Sequence, residues 1–283
     1  MSRWRFAAWI SLSLCCVSSV RAGTLAQFRT VFGNVDVELY DQDKPVTVQN
    51  FIRYVQSGKF QDEFAHRLMP GFVVQGGGFT VTNRGTTNWQ IAPIVTYAPI
   101  TNEFGTGRRF SNVYGTIAMA KLGGDTNSAS SEWFFNLADN SYLDAPDTNN
   151  FFVVFGTVLR GTNVLNILNN FQYYTGIQAS NLVLHQYYAP PFDDLPLLYP
   201  SLADTNLLFV DISLLSVQIT ATNHQRQISW NSVNGKTNLV EYTTNLPPAW
   251  KTLASTNGNG NRYTITDPAA TNTFRFYRVR VIY

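Results

Sequence analysis

Cysteine is almost absent from this 283-residue chain, which has two. Both, Cys15 and Cys16, lie within the first 22 residues. Without cysteine, residues 23–283 have no disulfide, no thiolate nucleophile and no thiolate metal site. Any chemistry in that part of the chain therefore depends on other side chains.

Charged residues are also sparse, at 13% of the chain, and their signs nearly cancel. Three of the 20 basic residues and none of the 18 acidic ones lie in residues 1–22, so the remainder carries 17 basic against 18 acidic residues. A nearly neutral surface gives no reason to expect nucleic acid or an anionic membrane as a partner. After Val20 no apolar stretch is long enough to cross a bilayer, so no membrane span is expected.

The first 22 residues have the features of a secretory signal peptide. Arg3 and Arg5 give a basic start, residues 6–20 form an apolar run without acid or base, and Val20-Arg21-Ala22 ends the segment. Such a run is too short and wrongly flanked for a membrane span. We therefore predict that residues 1–22 are a signal peptide and that the mature protein is periplasmic or extracellular.

Hydrophobic periodicity predicts an all-β protein with two helices. Apolar and polar residues alternate over residues 35–40, which is typical of a half-buried strand. Apolar residues then recur at helical spacing over residues 48–55, with Thr47 as the expected N-cap. A second short helix is predicted at residues 163–168. Most of the remaining chain consists of short β runs broken by Gly, Asn, Thr and Pro.

From about residue 218 the composition shifts toward Thr and Asn, and short strand candidates alternate with turns. These candidates are residues 226–230, 238–243, 263–266 and 274–282. The pattern resembles the small, fibronectin-III-like β-sandwich modules of secreted bacterial proteins. We predict one domain over residues 23–217 and a small β-sandwich-like domain over residues 218–283, too small for a robust core of its own.

Residues 64–79, FAHRLMPGFVVQGGGF, place one guanidinium and one carboxamide among apolar side chains. Pro70-Gly71 is a turn dipeptide, so two strands joined there would return Arg67 and Gln75 to one surface. A cation and an amide at the rim of an apolar pocket suit a neutral, carbonyl-rich ligand such as a peptide. The alternative is a hairpin with a single snorkelling arginine.

The same segment resembles the F-H-R-x-x-P-G-F-x-x-Q-G-G signature of the cyclophilins, the peptidyl-prolyl cis-trans isomerases. Residues 115–156 resemble further cyclophilin blocks in the same order, namely GTIAMA, SEWFFN, YLD and VFG. The resemblance extends over residues 24–217. It implies a closed eight-stranded antiparallel barrel plugged at each end by a helix, and isomerase activity that needs no cofactor.

Carried over by position, the resemblance implies roles for individual residues. Arg67 is implied as the catalytic arginine that donates to the prolyl nitrogen, and Gln75 as the residue that holds both this arginine and the substrate amide. The implied proline pocket consists of Phe72, Val73, Phe134 and Leu143. The backbone implied to pair with the peptide is that of Ala120 and Lys121. Four implied binding positions depart from the usual family residues, namely Val73, Glu132, Tyr142 and Phe152.

The predicted function is therefore isomerisation of X-Pro bonds in unfolded or flexible polypeptides, which would assist the folding of exported proteins. An alternative from a different class is a proline-peptide binding module with little or no turnover. A third is surface attachment through residues 218–283. Residues 80–109 and 172–204 are predicted to be long surface loops, and the aromatic-rich second loop could extend a binding groove.

Glu132 stands where the family commonly has a neutral glutamine. A carboxylate within about 4–6 Å of the guanidinium would have a lowered pKa and would draw Arg67 away from the prolyl nitrogen. The alternative is that Glu132 points to solvent, where the pair is screened.

No metal site is predicted. His66, His185 and His224 lie far apart in the sequence, with no carboxylate or cysteine at ligand spacing.

Overall fold

The structure is a computed structural model that describes residues 24–145, 151–173, 182–185, 189–215, 217–222, 225–232, 237–245, 248–259, 261–270 and 274–282. The predicted signal peptide, residues 1–22, lies outside these residues, and so does His224.

Strands make up most of the described chain. The first nine are β1 (Leu25–Thr30), β2 (Gly33–Leu39), β3 (Arg67–Met69), β4 (Val73–Gly76), β5 (Phe79–Thr82), β6 (Gln90–Pro93), β7 (Thr116–Met119), β8 (Trp133–Asn136) and β9 (Val154–Arg160). The next four are β10 (Gln172–Tyr173), β11 (Leu182–His185), β12 (Asp194–Leu197) and β13 (Asp211–Leu214). The last six are β14 (Val217–Thr222), β15 (Gln225–Asn231), β16 (Thr237–Thr243), β17 (Lys251–Asn257), β18 (Arg262–Asp267) and β19 (Phe276–Ile282). The helices are α1 (Pro45–Gln56) and α2 (Thr162–Asn169), with 3-10 turns at Ser141–Asp144 and Asp204–Asn206.

Eight of these strands form one antiparallel sheet in the order β13-β1-β2-β9-β7-β8-β4-β3. On β2 the alternating apolar residues Val35, Val37 and Leu39 are at most 2% exposed. One face of the sheet therefore lies in the core, as the alternation in the sequence predicts. The prediction of a mainly β fold with two helices is confirmed for the described residues.

The sheet is open, so the prediction of a closed barrel is wrong. Its end strands, β3 and β13, share no ladder among the described residues. Instead, the segments that precede them pair in an antiparallel bridge. Ala65 N donates to Leu208 O at 2.9 Å, and Val210 N donates to Glu63 O at 3.1 Å. Because the two segments run in opposite directions, β3 and β13 leave this bridge in opposite directions.

Both helices bury an apolar face in the core of this sheet. Val48 and Phe51 of α1 and Val164 and Leu168 of α2 are at most 3% exposed and belong to the same core cluster. The Phe51 ring stacks on Phe28 of β1, with centroids 5.7 Å apart. No helix in the described part of the chain is long and apolar enough to span a membrane.

The position of α2 agrees with the prediction, but the start of α1 does not. Helix α1 begins at Pro45 with Lys44 as N-cap, so the prediction of Thr47 as N-cap is wrong. Proline suits the first turn because it has no N–H to leave unpaired. The Val46 and Thr47 N–H groups donate to the carboxylate of Glu103 at 3.1 and 2.7 Å, so a distant side chain caps this helix.

The two segments predicted to be loops contain strands. Strands β5 and β6 form a two-stranded sheet, and β10, β11 and β12 form a three-stranded sheet. Leu195 and Leu197 of β12 are buried with Phe64 and Val81 in a second core cluster. Strand β12 packs against β3, which brings the segment 172–204 next to the arginine-bearing hairpin.

The chain beyond β13 forms two further three-stranded sheets, β14-β15-β18 and β17-β16-β19. The four strand candidates from the sequence fall on β15, β16, β18 and β19, whereas β14 and β17 were not predicted. Ile228, Trp230 and Val240 are fully buried in a core cluster that these two sheets share. This part of the chain therefore has a core of its own.

Candidate active site

The hairpin of β3 and β4 places Arg67 directly opposite Gln75. The turn runs from Met69 to Phe72, whose N–H donates to Met69 O at 2.9 Å. Gly71, at the third position of this turn, has a φ of +77°, a conformation that glycine adopts without strain. The hairpin therefore returns Arg67 and Gln75 to one surface, as expected from Pro70-Gly71.

A row of directly paired residues continues across the sheet from this hairpin. Gln75 on β4 pairs with Phe134 on β8, and Phe134 pairs with Ala118 on β7. Directly opposed residues in antiparallel strands present their side chains on the same face. Arg67, Gln75, Phe134 and Ala118 thus lie side by side. Their neighbours along the same strands face the main core instead, namely Leu68, Val74, Phe135 and Ile117.

An apolar cluster forms next to Arg67 and Gln75 on this face. We call it the Phe134 cluster. Its buried members are Val73, Ala118, Phe134, Leu143 and Val154, with Tyr40, Phe72, Phe110, Ala120 and Phe152 packed against them. All four residues of the predicted proline pocket are in this cluster, together with two of the other predicted binding residues, Ala120 and Phe152.

Two predicted residues lie at the margin of the Phe134 cluster. Tyr142 is 57% exposed, and its ring stacks on Phe72 with centroids 6.2 Å apart. Burial raises the pKa of Tyr142, and the charge of Arg67 partly offsets this. Lys121 Nζ lies 4.6 Å from the centroid of the Phe152 ring, and burial lowers the pKa of Lys121.

Ala120 follows β7 directly and continues its pairing with the segment before β8. Its N–H donates to Glu132 O at 2.9 Å. This hydrogen bond fixes the backbone of Ala120 beside the Phe134 cluster.

The guanidinium of Arg67 is held from three sides. Nη1 donates to Gln75 Oε1 at 3.5 Å, Nη2 donates to Met69 Sδ at 2.8 Å, and Nε lies 3.6 Å from Asp194 Oδ2. Its Cζ is 5.8 Å from the centroid of the Phe72 ring. The Arg67 side chain remains 33% exposed, so a ligand can reach it.

Glu132 determines which way the Gln75 amide faces. Gln75 Nε2 donates to Glu132 Oε2 at 2.6 Å. An ionised carboxylate can only accept, so the NH₂ group of Gln75 must face Glu132. The amide oxygen is then left to accept from Arg67.

The surroundings of Glu132 favour its ionised form and lower its pKa. Its Oε2 lies 3.5 Å from Nε2 of the buried His66. Burial alone would raise the pKa of Glu132, but His66, Gln75 and the charge of Arg67 together hold this pKa below its ordinary value.

The pKa of Glu132 is lowered, and the charge of Arg67 contributes to this, as expected for a nearby pair. The carboxylate contacts Gln75 and His66, so it does not simply point to solvent. The carboxylate in contact with the Arg67 guanidinium is that of Asp194, on the segment predicted to be a surface loop. Asp194 and His66 were not identified as site residues from the sequence.

A buried amide network supports the Phe134 cluster and was also not predicted. Asn136 Nδ2 donates to Asn112 Oδ1 at 3.1 Å, and Asn140 Nδ2 donates to Asn136 Oδ1 at 2.8 Å. Asn140 Nδ2 also donates to Phe72 O at 2.9 Å, and Asn112 Nδ2 to Asp144 Oδ1 at 2.7 Å. These bonds hold the turn that carries Leu143. The one available signal was the density of Asn in residues 136–140.

The described residues include no group of three or more His, Cys, Asp or Glu side chains placed to hold a metal ion.

Comparisons with known proteins agree on one family. The family model for "Cyclophilin type peptidyl-prolyl cis-trans isomerase/CLD" matches residues 25–184. A peptidyl-prolyl cis-trans isomerase of Acinetobacter baylyi is 36% identical over 165 residues, which are 58% of this chain and 79% of that protein. Peptidyl-prolyl cis-trans isomerase A of Dickeya dadantii is 37% identical over 176 residues, which are 61% of this chain and 87% of that protein. A solved cyclophilin type isomerase of Cryptosporidium parvum is 20% identical with a TM-score of 0.43, covering 68% of this chain and 98% of that chain.

This chain belongs to the cyclophilin type peptidyl-prolyl cis-trans isomerase family. The predicted family and the predicted enzyme class are confirmed. The match to the family model ends before Asp194, so this carboxylate lies outside the matched region.

Proposed function

We propose that this isomerase acts on exported polypeptides, with Arg67 as the residue that stabilises the twisted X-Pro bond and the Phe134 cluster as the proline pocket. Gln75 positions the guanidinium, and Phe72, Val73, Phe134 and Leu143 contact the proline ring. No cofactor takes part.

The chemistry requires only binding of a distorted bond. Rotation about a peptide bond meets a barrier of about 18–20 kcal/mol, because the nitrogen shares its lone pair with the carbonyl. In the twisted state that lone pair is localised on nitrogen and can accept a hydrogen bond. A guanidinium remains charged at physiological pH and donates without losing its proton. A donor that binds the twisted state better than either planar state accelerates the reaction.

The observation that carries this proposal is the row Arg67, Gln75, Phe134 and Ala118 across four paired strands. It places a partly exposed cation beside an apolar cluster on one rigid face. A proline ring seated on Phe134 would bring its nitrogen toward the guanidinium. A snorkelling arginine without a role would not need Gln75 and Asp194 to fix its orientation.

Turnover of a proline-containing test peptide by the full-length protein tests the proposal. Arg67→Ala should lower kcat/KM by about 10²–10³-fold, the loss typical of removing one transition-state donor. Arg160→Ala is the matched control, because the Arg160 side chain is 84% exposed and lies away from the hairpin on β9. Full activity in Arg67→Ala would overturn the assignment. A wild-type protein that binds the peptide without turnover would instead favour the binding-module alternative.

Export is supported by the basic start, the uncharged apolar run and the end of this segment at Val20-Arg21-Ala22. Expression of the full chain in a Gram-negative host, followed by fractionation and N-terminal sequencing, tests it. We expect a periplasmic protein that begins near residue 23. An unprocessed cytoplasmic protein would contradict export without affecting the enzymatic assignment.

For the domain organisation we propose a catalytic unit over residues 23–217 and an attached β-sandwich-like module over residues 218–283. The proposal is supported by the change of sheet after β13 and by the core cluster around Trp230. A module of this kind could attach the enzyme to a surface or to a partner.

A further inference from the structure

The segment 172–204 supplies a buried carboxylate to the candidate active site. Asp194, the first residue of β12, is 3% exposed. Its Oδ2 lies 3.6 Å from Nε of Arg67, on the edge of the guanidinium away from Gln75. Burying a carboxylate is costly unless a cation or hydrogen-bond donors stabilise it. An acid at this position therefore requires a specific reason.

A second residue of the segment reaches the same place. Tyr173 on β10 is 39% exposed. Burial raises the pKa of Tyr173, the negative charge of Asp194 raises it further, and the positive charge of Arg67 partly offsets both. Strands β12 and β10 thus bring a carboxylate and a phenol within electrostatic range of the Arg67 guanidinium.

We propose that Asp194 is a positioning residue for Arg67, an inference that rests on the proposed role of Arg67 in isomerisation. Asp194 holds the Nε edge while Gln75 Oε1 accepts from Nη1, so the planar guanidinium is fixed from two directions. An unrestrained arginine loses considerable rotamer entropy when it binds one geometry. A side chain already ordered in the free enzyme avoids that loss in the transition state.

Asp194 could also act in the opposite sense, because its negative charge reduces the positive field at the prolyl nitrogen. The two effects predict opposite changes in turnover when the charge of Asp194 is removed. Positioning predicts slower turnover in Asp194→Asn, whereas field cancellation predicts faster turnover. Asp194 contacts the guanidinium at Nε, whereas Gln75 accepts from Nη1, and this separation of the two contacts favours positioning.

Steady-state isomerisation of an X-Pro peptide by full-length variants tests this inference. Asp194→Asn should lower kcat by about three- to tenfold, the cost of ordering one long side chain, with KM little changed. Asp193→Asn removes a charge from the adjacent, partly exposed residue and should leave both constants unchanged. In an Arg67→Ala background, Asp194→Asn should have no further effect on the residual rate, because its action passes through the arginine.

A measurement on the wild-type protein does not depend on the variant folding. We expect the Nε–H proton of Arg67 to exchange slowly with water in NMR spectra, unlike that of Arg109, an exposed arginine. Equal exchange for the two arginines would overturn the inference, as would an unchanged or higher kcat in Asp194→Asn. Full activity of Arg67→Ala would instead refute the proposed function itself, so the two failures are distinguishable.

Discussion

Replacing Glu63 by glutamine should remove a pH dependence from the stability of this protein. Glu63 is 0% exposed and lies where the segments before β3 and β13 pair, with its carbonyl oxygen accepting from Val210 N. Neither carboxyl oxygen has a hydrogen-bond partner of ordinary geometry among the described residues. Burial raises the pKa of Glu63 well above its ordinary value of 4.5, against smaller lowering effects of the Gly77 N–H and the Trp133 indole.

The direction of the effect follows from proton binding. Above pH 4.5 the unfolded chain loses the Glu63 proton while the folded protein keeps it. The stabilisation is fully present below the unfolded pKa and is lost as the pH rises through the folded pKa. One proton changes the free energy of unfolding by at most about 1.4 kcal/mol per pH unit within this window. For a chain of this size that is roughly 3–5 °C in Tm per pH unit.

Urea unfolding at a series of pH values between about 5 and 8 measures this dependence. We expect the free energy of unfolding to fall with pH more steeply in wild type than in Glu63→Gln, by up to about 1.4 kcal/mol per pH unit. Glu38→Gln makes the same chemical change at a partly buried glutamate on β2 and should keep the wild-type slope. Equal slopes in wild type and Glu63→Gln would refute the reasoning.

Two further variants test the site and the C-terminal sheets. Glu132→Gln should lower kcat/KM by about two- to tenfold, since a glutamine can donate as well as accept and no longer fixes the Gln75 amide; faster turnover would contradict this. Because the pKa of Glu132 is lowered, the contribution of its carboxylate to turnover should be lost at a lower pH than that of an ordinary glutamate, which a pH–rate profile would show. Trp230→Ala removes a fully buried side chain and should destabilise the C-terminal sheets by about 3–5 kcal/mol. Circular dichroism melts would measure that loss of stability. Unchanged turnover of a short peptide would show that the module is separate from catalysis, whereas a parallel loss of turnover would show that catalysis depends on it.

The hairpin at the centre of the site could be predicted from the sequence because its geometry is local. A Pro-Gly turn predicts that the two strands it joins fold back on each other, which returns Arg67 and Gln75 to one surface. Their direct pairing is seen only in the structure. Alternation along β2 and helical spacing along α1 likewise report local periodicity. The order of the cyclophilin blocks then indicated that Phe134 and Leu143 belong to the same pocket.

Features formed by distant segments could not be predicted in this way. The antiparallel contact between residues 63–65 and 208–210, at the two ends of the sheet, joins segments far apart in sequence. The N-terminus of α1 is capped by Glu103, and no local pattern around residues 44–47 shows this. The orientation of the Gln75 amide depends on Glu132, which reaches it only through the pairing of β4 with β8.

The sequence alone therefore determined the family, the mainly β architecture and the residues that face the Phe134 cluster, because turns, periodicity and motif order are properties of neighbouring residues. The tertiary structure decided that the sheet is open, that Glu132 orients Gln75, and that Asp194 contacts Arg67. Residues 172–204 looked like a surface loop because they are rich in proline and tyrosine. Only the packing of β12 against β3 places the carboxylate of Asp194 beside the guanidinium. A contact between distant segments depends on how whole strands pack, so neither segment carries a periodic pattern that predicts it.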